Sequence, residues 1–262
     1  MATTESRPLV MSIDGGIATM TFNRPEAMNA LDIPTASAFL AACRTLVSDL
    51  RVRVVVLRGE GRAFGVGGDL NALQQSPADT SAVLLECLHE GVKLLAGLDA
   101  PVIASLHGVV AGGSLSLSMA CDLAVAAEGT RFNLAYANLA ASCDGSGSWN
   151  LPRMVGLRNA MQIALLSETF DAQEALRLGL VNRVVPADRL VEETTTIARK
   201  LASGPTLAYG RIKRLLRTSF DNDLPRHLDA ERDAFLASTA TDDFNEAVAA
   251  FLAKRPPVFK GR

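Results

Sequence analysis

The chain has 262 residues, 48% of them hydrophobic and 21% charged, with a formal net charge of −2. Those values are those of a soluble globular protein, and at this length an α/β chain often forms one continuous core. They offer no basic field for nucleic acid, and no apolar run is long enough to span a membrane.

In chain order, PLVMSI and IATMTF read as two short strands around an Asp14-Gly15-Gly16 turn. NRPEAMNALD is a loop in which Pro25 ends extended structure, and a helix starts near Asp32 and Pro34. The β-branched run VRVVVLRG reads as a strand buried on both faces. GEGRAFGVGGDL is a glycine-rich loop, SPADTS a polar linker, and AVLLECLHEGVKLLAGL an amphipathic helix. PVIASLHG and DLAVAAE are further strands, separated by a buried helix that opens at Gly112-Gly113. LPRMVGLRNAMQIALL is a helix interrupted near Gly156, and FDAQEALRLGLVNRVV gives a helix capped by Asp171, a glycine stop and a strand. From Asp188 onward the pattern is helical, with the basic run RIKRLLR as a solvated face, or in a second reading a phosphate contact. Residues 1–190 are therefore expected to form an α/β core, and residues 191–262 a helical extension.

Cys43, Cys87, Cys121 and Cys143 contain no CxxC pair, and His89, His107 and His227 are scattered. No metal or redox site is expected, and free thiols suit a reducing cytoplasm. MATTESRPLV lacks the apolar centre of a secretory signal.

The stretch Pro101–Gly147 carries the chemistry. A strand feeding a glycine pair into a buried helix leaves first-turn N–H groups without partners, open to a ligand oxygen. One carboxylate, Asp144, then follows in the small-residue run SCDGSGSWNLPR. Anion-stabilising amides beside a lone acid point to proton transfer next to a carbonyl.

NRPEAMNALD, GRAFGVGGDL, PVIASLHGVVAGGS and EAVAAFLAKRPPVFKGR, in this order, resemble the crotonase superfamily of acyl-coenzyme A enzymes. The resemblance implies a ββα spiral core with a helical C-terminal trimerisation region over 191–262, giving trimers or dimers of trimers. It implies an oxyanion hole from the backbone N–H groups of Val66 and Gly113, receiving a thioester carbonyl. It implies coenzyme contacts at Glu26, Ala27, Met28, Gly68 and Leu70, and at Phe259 and Lys260 in the tail, where Lys260 reads equally as a solvated charge. No cofactor is implied beyond the coenzyme A of the substrate.

Ser116 and Tyr136 stand where hydratases of this family have their two glutamates, so two-glutamate hydration is not expected. Asp144 lies twelve residues after Phe132 and is similar in position to the aspartate of an isomerase branch near the phenylacetate-pathway enzyme. That implies a 3-enoyl-CoA to 2-enoyl-CoA isomerase in which one carboxylate moves the proton. Leu139, Ala140, Ala141 and Trp149 would surround this acid and raise its pKa, with Trp149 and His89 possible pocket residues. Read from its residues alone, Asp144 could instead cap the helix containing Trp149. Two alternatives stand beside the isomerase. One is a 4-chlorobenzoyl-CoA-dehalogenase-like enzyme with Asp144 as nucleophile and His89 at the matching spacing; the other is an acyl-CoA-binding homologue without activity.

Overall fold

Gly15 and Gly16 take left-handed φ angles of 54° and 80°, and the turn they form folds β1 (Leu9–Asp14) back on β2 (Ile17–Phe22). The computed structural model describes residues 7–262. Asp32 caps α1 (Ile33–Ser48) by accepting the Thr35 N–H at 2.9 Å, with Pro34 in the first turn where its missing N–H costs nothing. β3 (Val54–Gly59) then pairs parallel to β2.

Next come α2 (Leu70–Gln75) and α3 (Pro77–Gly97). The expected polar linker SPADTS is a correction here, because Pro77 opens α3 and the Ser76 hydroxyl donates to Asp79 at 2.8 Å. A joint of one residue and the first turn of a helix occupy that segment. β4 (Val102–Leu106), β5 (Val109–Ala111), α4 (Gly112–Ala120), β6 (Leu123–Ala127) and β7 (Arg131–Asn133) follow. α5 (Gly147–Leu166) breaks at Gly156, where φ is 75° and ψ 155°. β8 (Phe170–Asp171), α6 (Ala172–Arg177) and β9 (Arg183–Val185) complete the strand-bearing part. Asp171 caps α6 through the Glu174 N–H at 2.9 Å.

The main sheet has the order β1-β2-β3-β4-β6-β9, parallel except for the β1–β2 pair. A smaller sheet, β5-β7-β8, stands beside it. Val55 and Leu57 of β3 enter the larger core with Phe39 of α1 and Leu88 and Leu95 of α3. Val54 and Val56 face the other way, into a second cluster with Ile103, Val125, Leu190 and Ala198. An unbroken run of β-branched residues is what burial on both faces requires.

α7 (Leu190–Ala202) covers that second face, so the all-helical part begins with a helix of the sheet, tied to it by a buried Ser105–Thr194 hydroxyl bond of 3.1 Å. α8 (Thr206–Thr218), α9 (Leu224–Thr239) and α10 (Asp242–Leu252) extend from there. The loops after β3, β4 and β6 meet at the carboxyl ends of the parallel strands, where open α/β sheets carry their ligand sites.

The expected solvated face of α8 is a second correction. Lys213 is 9% exposed and its Nζ lies 2.6 Å from Asp122 Oδ2 while donating to the Ala100 carbonyl at 2.9 Å. Arg217 donates to Asp122 Oδ1 at 2.9 Å, and Asp122 Oδ2 also accepts the Val102 N–H at 2.8 Å. Gly210 permits this docking, since a Cβ there would come within 2.6 Å of the Asp99 Cα. Removing one partner of a buried ion pair leaves the other charge without compensation. Asp122→Ala is therefore expected to lower unfolding free energy by about 3–5 kcal/mol. The double variant Asp122→Asn, Lys213→Met should lose much less, both read by urea denaturation.

Candidate active site

The site is assembled from three loops that bond one another. The loop after β3 is stitched on one side to the second sheet: Gly65 donates its N–H to the Val109 carbonyl at 3.2 Å and accepts from the Ala111 N–H at 3.0 Å. On the other side Leu31 donates to Gly67 O at 2.7 Å and accepts from the Asp69 N–H at 2.9 Å. The Gly67 N–H donates to the buried Ser114 hydroxyl at 3.1 Å. These bonds hold Val66 between fixed neighbours. Among the described residues its N–H donates to no protein acceptor.

α4 supplies the second amide. All nine of its residues are buried, and Gly113, in its first turn, has no carbonyl four residues back within the helix to bond. Gly112 takes φ 52° and Gly67 φ 87°, and a Cβ on Gly67 would lie 3.1 Å from the Gly113 nitrogen. A Cβ on Gly112 would come 3.8 Å from the Val66 carbonyl oxygen. Both backbones thus approach more closely than side chains at Gly67 would allow, and the Val66 and Gly113 segments lie side by side.

Asp144 meets this point from the third loop. A Cβ on Gly113 would sit 3.3 Å from Asp144 Oδ1, 3.7 Å from Leu31 Cδ1 and 3.9 Å from the Tyr136 hydroxyl. The turn that aims the carboxylate uses left-handed residues, Gly145 at φ 54° and Ser146 at φ 71°. Asp144 does not cap α5: the cap position is Ser146, with no side-chain cap bond. Its Oδ1 instead accepts the Tyr136 O–H at 2.6 Å. The Tyr136 oxygen is in turn 3.0 Å from the Ser116 hydroxyl, which is fully buried.

Burial raises the Asp144 pKa, while the bond from Tyr136 opposes the rise. Burial and then the Asp144 charge push the Tyr136 phenol upward, so it stays a neutral donor. The neighbours expected around the acid are different. Leu139, Ala140, Ala141 and Trp149 are exposed, and Trp149 lies under the Arg153 guanidinium, 4.0 Å from the ring centroid. The turn at Ala140, left-handed at φ 53°, carries those small residues outward. Gly113 and Tyr136 stand beside the partly buried carboxylate instead.

His89, exposed on α3, accepts the Gly145 N–H on Nε2 at 3.1 Å. Glu26 and Ala27 lie in a short 3₁₀ turn, Met28 follows at φ 49°, and Gly68 bridges to Leu31 in parallel register. Leu70 opens α2 half-exposed. These five residues flank the loop that carries Val66. Phe259 and Lys260 do not join them: the Lys260 and Gly261 N–H groups bond Asp243 at 2.6 and 2.7 Å, and Gly261 lies against Arg53, just before β3. The tail therefore sits at the strand starts, opposite the site.

Other positioning residues were not singled out from the sequence. Arg24 donates to the Ala30 carbonyl at 2.7 Å and pairs with Asp32 and Asp69. Asn29, 1% exposed and at φ 57°, donates to the Glu60 and Ala63 carbonyls at 2.9 and 2.8 Å. With Ser114 they tie the loop at 24–31 to the loop at 60–69. A left-handed asparagine in NRPEAMN was the available signal. Among the described residues no group of three or more His, Cys, Asp or Glu is placed to hold a metal ion. A cavity of about 480 Å³ under α7 shares none of the catalytic candidates.

Two backbone amides beside a single carboxylate can receive a carbonyl oxygen while the acid acts on a neighbouring carbon.

Residues 12–262 match the family of Enoyl-CoA hydratase/isomerase. The chain is 33% identical to the 1,2-epoxyphenylacetyl-CoA isomerase of Escherichia coli K12, over 97% of this chain and 98% of that one. It is 35% identical to the 4-chlorobenzoyl coenzyme A dehalogenase-2 of an Arthrobacter species, over 91% and 88%. Its fold superposes on the crystal structure of an enoyl-CoA hydratase from Mycobacterium smegmatis with a TM-score of 0.91 and 32% identity, covering 97% and 99% of the chains.

A carboxyl that holds its proton more tightly folded than unfolded favours the folded state at low pH, and that contribution is lost as pH rises through its raised folded value. Asp144→Asn is therefore expected to melt higher than wild type at about pH 8, with the gap closing as pH falls below the ordinary carboxylate value of 3.8. Thermal melts across pH test this; an equal gap at both ends would show that ionisation is not its source.

Proposed function

The chain belongs to the enoyl-CoA hydratase/isomerase family and has the crotonase fold, and from that premise we propose that it shifts a double bond, converting a 3-enoyl-CoA to the conjugated 2-enoyl-CoA. The observation that carries this reading is the pairing of Asp144 with the α4 amide end. Its carboxylate faces Gly113, while Ser116 and Tyr136, at the positions of the two hydratase glutamates, bond each other directly.

In this reading the thioester carbonyl accepts the Val66 and Gly113 N–H groups. Asp144 takes a proton from C2, the electron pair moves into an enolate whose oxygen the amides stabilise, and the same proton returns at C4. Atoms and charge balance without a cofactor. Each amide of such a pair contributes about 2.7–4 kcal/mol to lowering a barrier of this kind. The raised Asp144 pKa makes the carboxylate a stronger base for a weakly acidic C–H.

Glu26, Ala27, Met28, Gly68 and Leu70 then contact the coenzyme on the outer side of the Val66 loop. Phe259 and Lys260 reach a coenzyme only in a neighbouring copy. The exposed apolar residues Phe220, Leu224, Phe235, Leu236 and Phe251 on and beside the C-terminal helices support a trimer or a dimer of trimers. Four free cysteines accord with a reducing cytoplasm.

The dehalogenase-like reading needs His89 to activate water. Its Nε2 lone pair is occupied by the Gly145 N–H, and Nδ1 then carries the ring proton, so this geometry favours the isomerase.

A panel of 3-enoyl-CoA substrates followed by ultraviolet absorbance, with hydration and halide release scored alongside, tests the proposal. Wild type is expected to form the conjugated thioester. Asp144→Ala should cut kcat by about 10²–10⁴-fold while binding a saturated acyl-CoA within a few-fold of wild type. Equal turnover by Asp144→Ala would remove Asp144 from the reaction. Halide release with an aryl ester trapped on Asp144 would establish the dehalogenase instead, and tight binding without turnover an acyl-CoA carrier.

A further inference from the structure

Tyr136 stands 2.6 Å from Asp144 Oδ1 and 3.0 Å from the Ser116 hydroxyl. A phenol has one proton. The ionised carboxylate can only accept, so that proton lies toward Asp144 and the tyrosine oxygen accepts from Ser116. The chain therefore has one direction, from Ser116 through Tyr136 to Asp144, and each donor strengthens the next.

We propose that Tyr136, oriented by Ser116, is a positioning residue that fixes Asp144 Oδ1 beside Gly113 and so holds the carboxylate, at the amide end of α4, in the orientation that removes and returns the proton. The proposal rests on the isomerase reading for the identity of the reaction, but not for the state of the carboxylate.

The surrounding packing leaves the chain little freedom. Ser116 is fully buried in α4, and Tyr136 is 8% exposed. Gly145 and Gly147, on either side of the turn after Asp144, rest on the serine. A Cβ on Gly147 would come within 2.4 Å of Ser116 Oγ, and one on Gly145 within 3.2 Å of Ser116 Cβ. The turn that carries Asp144 is thus seated on the serine that orients its partner. A carboxylate pinned at one oxygen cannot exchange its two oxygens by rotation without breaking a charge-assisted bond.

Two electrostatic effects oppose each other at Asp144. Burial favours the neutral acid, which cannot act as a base; the phenol donor and the amide end of α4 favour the anion. The other titratable groups near the carboxylate are His89, reaching over from α3 to Gly145, and Cys143, the preceding residue, whose thiol is pushed up by burial and then by the Asp144 charge. Neither hydrogen-bonds the carboxylate among the described residues. Tyr136 is therefore the direct control on the pH at which the base is available.

Tyr136→Phe keeps the ring and removes the donor. The acid limb of its kcat/KM profile is expected to move to higher pH. Activity on the acid side of the limb should fall about ten- to hundredfold and recover as pH rises. Ser116→Ala should shift the limb in the same direction by less, which guards against a packing defect in the phenylalanine variant.

Infrared titration of the Asp144 carboxylate, identified by difference against Asp144→Asn, provides the same measurement without substrate. A higher titration midpoint in Tyr136→Phe and Ser116→Ala supports the proposal even if the 3-enoyl panel shows no isomerisation, in which case only the reaction assignment fails. An unchanged midpoint in both variants overturns the proposal, whatever the activity.

Discussion

A helix buried at every residue must begin somewhere, and its first amides have no carbonyl within the helix to bond. In this chain that helix is α4, and the organisation of the site follows from its start. Gly112 at φ 52° and Gly67 at φ 87° bring two backbones into contact that side chains would separate. Ser114, two residues after Gly112, is turned to accept the Gly67 N–H, so the helix that needs partners also fixes the loop that supplies the second amide. The unpaired N–H groups that remain lie beside a carboxylate, which is where a partial positive end of a helix is most useful. An anionic oxygen on the substrate would complete what the fold leaves incomplete.

The same geometry sets a conflict between stability and chemistry. Asp144 lies beside Gly113 and Tyr136, and burial raises its pKa, so its ionisation works against folding at neutral pH. The compensation lies elsewhere and is of a different kind. Lys213, Arg217 and Asp122 satisfy one another and the ends of β4 and α4 away from the site. Arg24 bridges Asp32 and Asp69 around the loop that carries Val66. Ion pairs therefore hold the scaffold at its strand starts and at one flank of the site, while among the described residues the acid itself has one neutral hydrogen-bond donor, Tyr136. A cation beside Asp144 would stabilise the anion further and make it a poorer base.

Much of this was readable in the residues because the signals were local. Gly15-Gly16 between two alternating runs, Asp32 before Pro34, Asp171 before a short helix and Gly156 within a longer one each state their role within a few positions. The glycine pair at 112–113 and the lone acid at 144 were readable for the same reason. What escaped depends on partners distant in sequence. Arg217 and Asp122 are 95 residues apart, and without that pairing a run such as RIKRLLR looks like a solvent face. β5 and β7 have three residues each, too few for a period to register. SPADTS has a loop's composition, but its second residue, Pro77, is one that a helix accepts at its first position. Leu139 and Trp149 are close to Asp144 in sequence, yet the left-handed turns at Ala140 and Ser146 carry them away from it.

In the proposed isomerase reading, two hydroxyls at the positions of the two hydratase glutamates go with a different class of reaction, and the geometry supplies a reason. Adding water across a double bond asks for one group to activate the water and another to manage the second proton. Two carboxylates on opposite sides of a bound water do this. Ser116 and Tyr136 are 3.0 Å apart, so they satisfy each other rather than a water between them, and neither is a base near neutrality. Their joint effect is transmitted outward to Asp144, across the 2.6 Å bond from Tyr136. On that reading the base lies not at the two glutamate positions but in the loop before α5. There, in the proposed reading, a single carboxylate would face the carbon skeleton beside a carbonyl held by the two amides. Moving a proton between two carbons of one thioester needs no second acid, because the group that receives the proton already holds what it must return.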